Sequence, residues 1–122
     1  MKFTRELPGT LTIRSVSQDG IRINDEVWSG TVALTPREVV EQWQPVAVEN
    51  LVADDFNALF DDAPELVILG TGRSGRFPPR ELMFAFARRG VGLEVMDTAA
   101  AARTFNVLVG DGRRVAAVLY PI

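Results

Sequence analysis

The sequence feature that most constrains the fold is an apolar run that leads directly into a glycine-rich loop. Leu66–Leu69 combines leucine with β-branched residues, which is typical of a strand buried on both faces. The loop contains Gly70, Gly72 and Gly75. A helix is predicted to begin at Pro78-Pro79 and to end before Gly90. Because the rest of the chain repeats this order of strand and helix, we predict a C-terminal βαβαβ unit with parallel strands.

Within that unit, the later elements follow from apolar patterning and turn residues. Leu93–Met96 is predicted as a strand, Ala99–Leu108 as a helix capped by Thr98, and Val115–Leu119 as the closing strand. We expect the core to lie on these strands and helices. Its predicted members are Val67, Leu69, Leu82, Met83, Phe86, Ala87, Val95 and Val118.

The N-terminal part reads as antiparallel strands. Thr10–Val16 and Ile21–Ile23 are predicted to pair through a hairpin turn at Asp19-Gly20, because glycine accepts a positive φ without steric cost. A third strand, Glu26–Leu34, is interrupted at Ser29-Gly30, where we predict a bulge or bend. The prediction for this part of the chain is therefore a meander.

The segment between the two halves is predicted to be mostly helical. Thr35-Pro36 resembles a helix start, and Pro45 would end that helix. A brief strand at Val46–Val48 follows, and Asn50 would cap a helix over Val52–Phe60. The complete prediction is an α/β fold, formed by residues 1–122 as a single compact domain. Its N-terminal antiparallel meander and C-terminal βαβαβ unit are expected in one mixed sheet or in two sheets.

Composition excludes whole classes of mechanism. The chain has no cysteine, no histidine and only one lysine, Lys2, which removes thiolate nucleophiles, imidazole bases and lysine chemistry. Asp54 and Asp61 share a helix face, but roughly 10 Å separates them. We therefore predict no catalytic residue, no cofactor and no metal, so that a chelator should leave the melting temperature unchanged.

Charge and hydropathy limit the partners. The net charge of −3 argues against a nucleic-acid binder. The longest apolar runs are far shorter than the roughly 20 residues that span a bilayer, so membrane insertion is not expected. Met1–Pro8 lacks the apolar region of a secretory signal, which predicts a cytoplasmic protein.

Four segments, taken in order, resemble the Mth938-type domain family. They are Leu66–Gly72, Gly92–Thr98, Ala102–Leu108 and Gly112–Ala117. The resemblance implies an α/β fold with a mixed sheet and a hammerhead-like strand arrangement, and it implies no established catalytic activity. Relatives in that family include a mitochondrial assembly factor for respiratory complex I, which acts through protein partners. This chain looks like a bacterial stand-alone member of the family.

The glycine-rich loop is the candidate binding site. The spacing of Gly70, Gly72 and Gly75 matches the glycine pattern of dinucleotide-binding loops. The same loop could also bind a small anion, or it could be a plain turn between a strand and a helix. The residues between Gly75 and the helix weaken the dinucleotide alternative, because Pro78-Pro79 delays the helix start. The predicted ligand-binding residues are Gly70, Thr71, Gly72, Arg73, Ser74, Gly75, Arg76, Arg80 and Asn106.

Three functions remain open from sequence alone. The first is a non-catalytic interaction or assembly module, with an unknown protein partner or as a homo-oligomer. The second is binding of a small anionic ligand by the Gly70–Arg80 loop, and the third is an enzyme that uses only carboxylates and arginine. Trp28, Trp43 and Tyr120 are candidate interface anchors or core residues, and Asn106 either bonds backbone across the core or lines a pocket.

Overall fold

A computed structural model describes residues 9–73 and 75–122, and they form two sheets flanked by helices. The first sheet is a three-stranded meander in the order β1-β2-β3, and the second has four strands in the order β4-β7-β5-β6. The strands are β1 (Ile13–Ser17), β2 (Gly20–Ile23), β3 (Glu26–Trp28), β4 (Val32–Leu34), β5 (Leu66–Gly70), β6 (Gly92–Met96) and β7 (Val115–Leu119). The α-helices are α1 (Asn57–Phe60), α2 (Arg80–Arg89) and α3 (Thr98–Gly110).

The meander is confirmed, and its first turn depends on glycine. β1 pairs antiparallel with β2, and β2 with β3. Gly20 has a φ of +137°, and a Cβ there would lie 2.5 Å from the Trp28 carbonyl oxygen. Any larger residue at this position would therefore push β3 away from β2.

The predicted third strand is in fact two strands in different sheets. β3 ends at Trp28 and β4 begins at Val32, where it pairs antiparallel with β7. The break falls at Ser29-Gly30, where Gly30 has a φ of +77°. The predicted interruption is confirmed as a bend rather than a bulge, and the bend takes the chain from one sheet to the other.

The strand predicted from the apolar run Leu66–Leu69 lies in the interior of the second sheet. β5 pairs parallel with β7 on one side and with β6 on the other. Its residues Val67, Ile68 and Leu69 are fully buried, which confirms the inference from the apolar run. The predicted α/β fold is therefore confirmed in its two-sheet form, with a mixed four-stranded sheet beside the meander, while the extent of the domain, residues 1–122, stays a prediction.

Two apolar clusters lie on opposite faces of the four-stranded sheet. One joins α3 and the meander around Phe105, and the other joins α2 and the segment 48–60 around Phe56 and Phe86. Of the predicted core, Val95 is only half-buried, because β6 is an edge strand with no neighbour on one side.

The helix predicted after Thr35 is absent from residues 35–47. The Thr35 hydroxyl does accept hydrogen bonds from the backbone N–H groups of Arg37 and Glu38, as in a helix cap. The chain then turns back, and Val40 N donates to Ala33 O at 2.7 Å, so residues 38–40 cover the edge of β4. This pairing replaces the helix.

The next two predictions are also corrected. Residues 46–48 form no strand, and Val48–Asn50 is instead one turn of 3-10 helix. The helix predicted over Val52–Phe60 divides into a 3-10 helix, Ala53–Phe56, and α1. Its start is stabilised by Asp55, whose carboxylate accepts from Val52 N at 2.9 Å, rather than by Asn50.

The two long helices confirm their predicted places, with corrections to their details. α2 ends at a left-handed Gly90, as predicted. Met83 and Ala87, which were predicted as core, are exposed, because only the stripe formed by Leu82 and Phe86 reaches the sheet. α3 is capped by Asp97, whose Oδ1 accepts from Ala100 N at 2.7 Å, and not by Thr98.

Candidate functional site

The Gly70–Arg80 loop leaves the carboxyl end of β5 and is tied there by a buried threonine. Thr98, at the start of α3, has a hydroxyl that accepts from Gly72 N at 2.8 Å and donates to Tyr120 O at 2.6 Å. Its own N–H donates to Gly72 O at 2.8 Å. The first turn of the loop is thus joined to α3 and to the end of β7, and the Gly72 amide is engaged within the protein.

Each glycine of the motif has a structural role. A Cβ on Gly70 would lie 2.9 Å from Thr98 Cα, so Gly70 permits the close approach of β5 and α3. Gly72 has a φ of +92° and lies against Pro121 O, while Gly75 has a φ of +76° with open space around it. The helix start next to Gly72 belongs to α3 rather than to α2, which is not the dinucleotide-binding arrangement.

The three arginines of the loop have different environments. Arg76 makes a two-point ion pair with Glu49, at 2.8 and 3.1 Å, and lies 5.8 Å from the centre of the Tyr120 ring. Arg73 and Arg80 are exposed and have no ion pair with any residue in the described ranges. The structure therefore leaves two of the three guanidinium groups open to solvent anions.

The Arg76–Glu49 pair fixes the loop against the segment before α1. Arg76 holds the pKa of Glu49 at about 2, well below its usual value, through the hydrogen-bonded guanidinium. Tyr120 is buried beneath this pair, and its hydroxyl donates to Val46 O at 2.6 Å. Burial raises the pKa of Tyr120 to about 12, so its phenol stays protonated across the neutral range.

The ion pair predicts a specific acid titration. Because the folded-state pKa of Glu49 is depressed, the pair stabilises the fold above a pH of about 4.5, and this contribution is lost as the pH falls toward 2. Carboxyl-detected NMR should place the Glu49 pKa well below the ordinary glutamate value of 4.5, and Arg76→Ala should return it to the ordinary range. An unshifted Glu49 in the wild type would contradict the pairing.

Asn106 is held away from the loop. Its side-chain amide bonds both backbone groups of Ile13, accepting from N and donating to O at 2.9 Å each, so it fastens β1 to α3. It lies eight residues after Thr98 on α3, roughly 12 Å along the helix. Of the other predicted site residues, Thr71 is buried with its hydroxyl donating to Met96 O, and Ser74 lies outside the described residues.

The candidate aromatic anchors are mostly occupied within the fold. Trp43 is half-buried and packs edge-on against Phe56, with ring centres 5.2 Å apart. Trp28 is half-buried beside the first cluster, and Tyr120 is buried. These residues contribute to the core, which is the second of the two alternatives stated for them.

An exposed surface that the sequence patterns assigned partly to the core lies on α2. We name it the α2 outer face, and it consists of Met83, Phe84 and Ala87 with Arg80 and Arg88 beside them. Phe84 is 54% exposed and Phe77, in the loop that leads to α2, is 71% exposed. The sequence indicates this face by a second set of apolar residues on α2, next to the stripe formed by Leu82 and Phe86.

Within the described ranges, no three His, Cys, Asp or Glu side chains come together in a way that could hold a metal ion. The insensitivity to a chelator stays a prediction. The same described part of the chain has no helix that is long and apolar enough to cross a bilayer.

Comparison with known proteins defines the class. The family model described as "Protein of unknown function (DUF498/DUF598)" matches residues 13–120, and the chain belongs to this family. Its fold is that of the Mth938-like domains. The solution structure of the Mth938-like domain from Bordetella pertussis has a TM-score of 0.79 and 28% identity, covering 99% of this chain and 92% of that one. A crystal structure from Bordetella parapertussis has a TM-score of 0.85 and 32% identity, covering 96% and 100%.

Curated relatives include a eukaryotic assembly factor. The bovine protein named NADH dehydrogenase [ubiquinone] 1 alpha subcomplex assembly factor 3 is 37% identical over 120 residues, which is 96% of this chain. The chain spans 64% of the length of that relative. A structure at 28% identity, from Bartonella henselae, is described as an outer membrane protein; its TM-score is 0.77, covering 95% of this chain and 98% of that one.

Proposed function

We propose that this chain is a non-catalytic protein-interaction module that helps to assemble a larger protein complex through the α2 outer face. The observation that carries the proposal is the exposure of Phe84 and Met83 on a helix whose opposite stripe is fully used by the core. Aromatic residues, methionine and arginine are the residue types enriched at interface centres, and this face presents all three.

The charges around the face indicate the kind of partner. Arg80 and Arg88 lie beside its apolar centre, and Arg73 is exposed in the loop that precedes it. Arg89, in contrast, is used within the fold, because its guanidinium lies 4.2 Å from the centre of the Phe60 ring. A partner protein with an apolar anchor and an acidic rim would complement this arrangement.

The relatives support the same class of function. The bovine relative is an assembly factor by name, and an assembly factor acts on protein partners. This chain matches only 64% of that relative's length, so the complex that the relative assembles is not assigned to this chain. The partner is described only by the apolar and acidic surface that would fit the α2 outer face.

The test uses two matched surface positions. A photoreactive phenylalanine analogue at position 84 should crosslink one protein in the native host, and the same analogue at position 107 should not. Val107 is the control because it is 62% exposed on the outer side of α3, comparable with Phe84. Phe84→Asp should abolish co-purification of the crosslinked protein, whereas Val107→Asp should retain it.

Reconstitution with the purified partner then tests the charge argument. Arg80→Ala/Arg88→Ala should weaken binding and reduce its dependence on salt, since rim charges act mainly through long-range attraction. Retention of the partner by Phe84→Asp, with circular dichroism showing a folded variant, would overturn the proposed surface. A dimer of the wild type that Phe84→Asp dissociates would instead identify a second copy of this chain as the occupant.

A small anion at the Gly70–Arg80 loop is the second candidate function. It is supported by the exposure of Arg73 and Arg80 and by the open space around Gly75. A thermal-shift screen of phosphates, nucleotides and carboxylates should then stabilise the wild type but not Arg73→Ala/Arg80→Ala. Because Gly72 N and Arg76 are engaged by Thr98 and Glu49, the two free arginines would carry most of the affinity.

We also propose a cytoplasmic location. The absence of a bilayer-spanning helix from the described residues is consistent with it, and fractionation of the native host tests it directly. Recovery in the outer-membrane fraction, as the description of the Bartonella henselae protein suggests for that relative, would contradict it.

A further inference from the structure

A basic pocket lies at the end of the four-stranded sheet opposite the glycine-rich loop. It has a volume of about 290 Å³ and opens between the turn before β5 and the turn before β7. Arg37, Arg113 and Arg114 line it together with Asp62, while Pro36 and Val109 supply apolar wall. Three of the chain's arginines therefore converge in one concavity of a protein whose net charge is −3.

Two of these guanidinium groups are anchored in a way that leaves their outer nitrogens available. Arg113 donates from Nε to Glu65 Oε1 at 2.7 Å, and Arg114 donates from Nε to Ala63 O at 3.1 Å. Each arginine has four further N–H groups on its terminal nitrogens, and none of these has a hydrogen-bond partner among residues 9–73 and 75–122. Anchoring by Nε lowers the entropy that either side chain would lose on binding a ligand.

Arg37 completes the cluster. A Cβ on Gly9 would lie 3.1 Å from Arg37 Nη1, so the glycine leaves the room that this guanidinium occupies. Arg37 has no ion pair within the described residues. Asp62 is the one carboxylate of the lining, and Glu65 is paired with Arg113 beside it. Three arginines therefore face two carboxylates, and positive charge remains in excess.

We propose that this pocket binds a compact anion with two or more negative oxygens, namely a phosphate group or a small dicarboxylate. Arginine forks match the oxygens of both groups in a bidentate manner. The volume lies at the lower end of ordinary ligand pockets, which favours a small ligand over a nucleotide. The site is independent of the α2 outer face and of the loop at the other end of β5.

The experiment is an amide-resolved NMR titration of the full chain with inorganic phosphate, glycerol 3-phosphate and succinate, at constant pH and ionic strength. Saturable shifts are expected at Gly112 and Arg114. A response to the two phosphates alone identifies a phosphate site, and a response to succinate as well identifies a general dianion site. Shifts confined to Gly75 and Arg73 would place the anion in the glycine-rich loop and overturn this proposal.

Variants separate a built site from non-specific attraction. Arg37→Ala should weaken binding about tenfold, because it removes a charge-assisted hydrogen bond. Arg22→Ala, an equal change in net charge at an exposed position on β2, should leave the affinity within about twofold. Equal losses in the two variants would overturn the proposal.

Asp62 gives a test of opposite sign. Asp62→Asn should tighten binding about threefold, since it removes a like charge from the lining. Asp61→Asn, one residue earlier and outside the pocket lining, is the matched control and should change the affinity less. A weaker affinity in Asp62→Asn would contradict anion binding here, and thermal unfolding of each variant shows whether the fold is kept.

Discussion

Replacing Phe56 with alanine is expected to lower the free energy of unfolding by about 3–5 kcal/mol. Phe56 is fully buried at the centre of an aromatic cluster, with ring centres 5.2 Å from Trp43, 6.4 Å from Phe60 and 5.1 Å from Phe86. Truncation loses the free energy gained by removing the Phe56 ring from water, and it leaves a cavity between Trp43, Phe60 and Phe86. A domain of this size is stable by only about 5–15 kcal/mol, so the loss is a large fraction of its total stability.

Urea unfolding, followed by tryptophan fluorescence and by circular dichroism, measures this loss. Phe84→Ala is the matched control, because it removes the same side chain from a position that is 54% exposed, and it should cost under about 1 kcal/mol. The comparison also bears on the interaction proposal, since a partner-binding residue on the α2 outer face should be dispensable for folding. A large loss of stability in Phe84→Ala would mean that this residue belongs to the core.

The sequence correctly predicted the elements whose structure depends on residues close together in the chain. β5 follows from its apolar run, and α2 follows from its proline start and its left-handed glycine end. The helix predicted within residues 35–47 was wrong because the structure of this segment depends on a contact with another part of the chain. Thr35 makes the same hydroxyl-to-amide bonds at a helix start and at a single turn, and the pairing of Val40 with Ala33 decided between them. That pairing depends on β4 already lying in the sheet.

The candidate site shows the same division. The sequence was enough to identify the glycines and arginines of the loop as candidates. It could not show which of their amide and guanidinium groups are already bound within the protein. Glu49 lies 27 residues from Arg76, and Thr98 lies 26 residues from Gly72. The basic pocket is a further example, because Arg37 is brought to Arg113 and Arg114 only when residues 35–40 fold back beside β4. Contacts between positions this far apart carry no local sequence signal.

Among the described polar residues, Thr98 is the one whose substitution is expected to lower the free energy of unfolding most. Thr98→Val keeps the size and branching of the side chain but removes its hydroxyl. The change would leave Gly72 N–H and Tyr120 C=O without the partner that now lies 2.8 and 2.6 Å away in a fully buried position. Leaving a buried polar group unsatisfied costs about 1–3 kcal/mol, so the two together should destabilise the protein by about 2–6 kcal/mol.

Thr98→Ser separates the hydroxyl from the methyl group. It keeps both hydrogen bonds and loses one buried methyl, so about 1 kcal/mol is expected from unfolding measurements. Amide hydrogen exchange distinguishes the two effects. The Gly72 amide should lose most of its protection in Thr98→Val and keep it in Thr98→Ser, because only the hydroxyl accepts that proton. Unchanged protection of Gly72 in Thr98→Val would mean that burial, rather than the Thr98 hydroxyl, shields this amide, and it would contradict the role assigned to the hydroxyl.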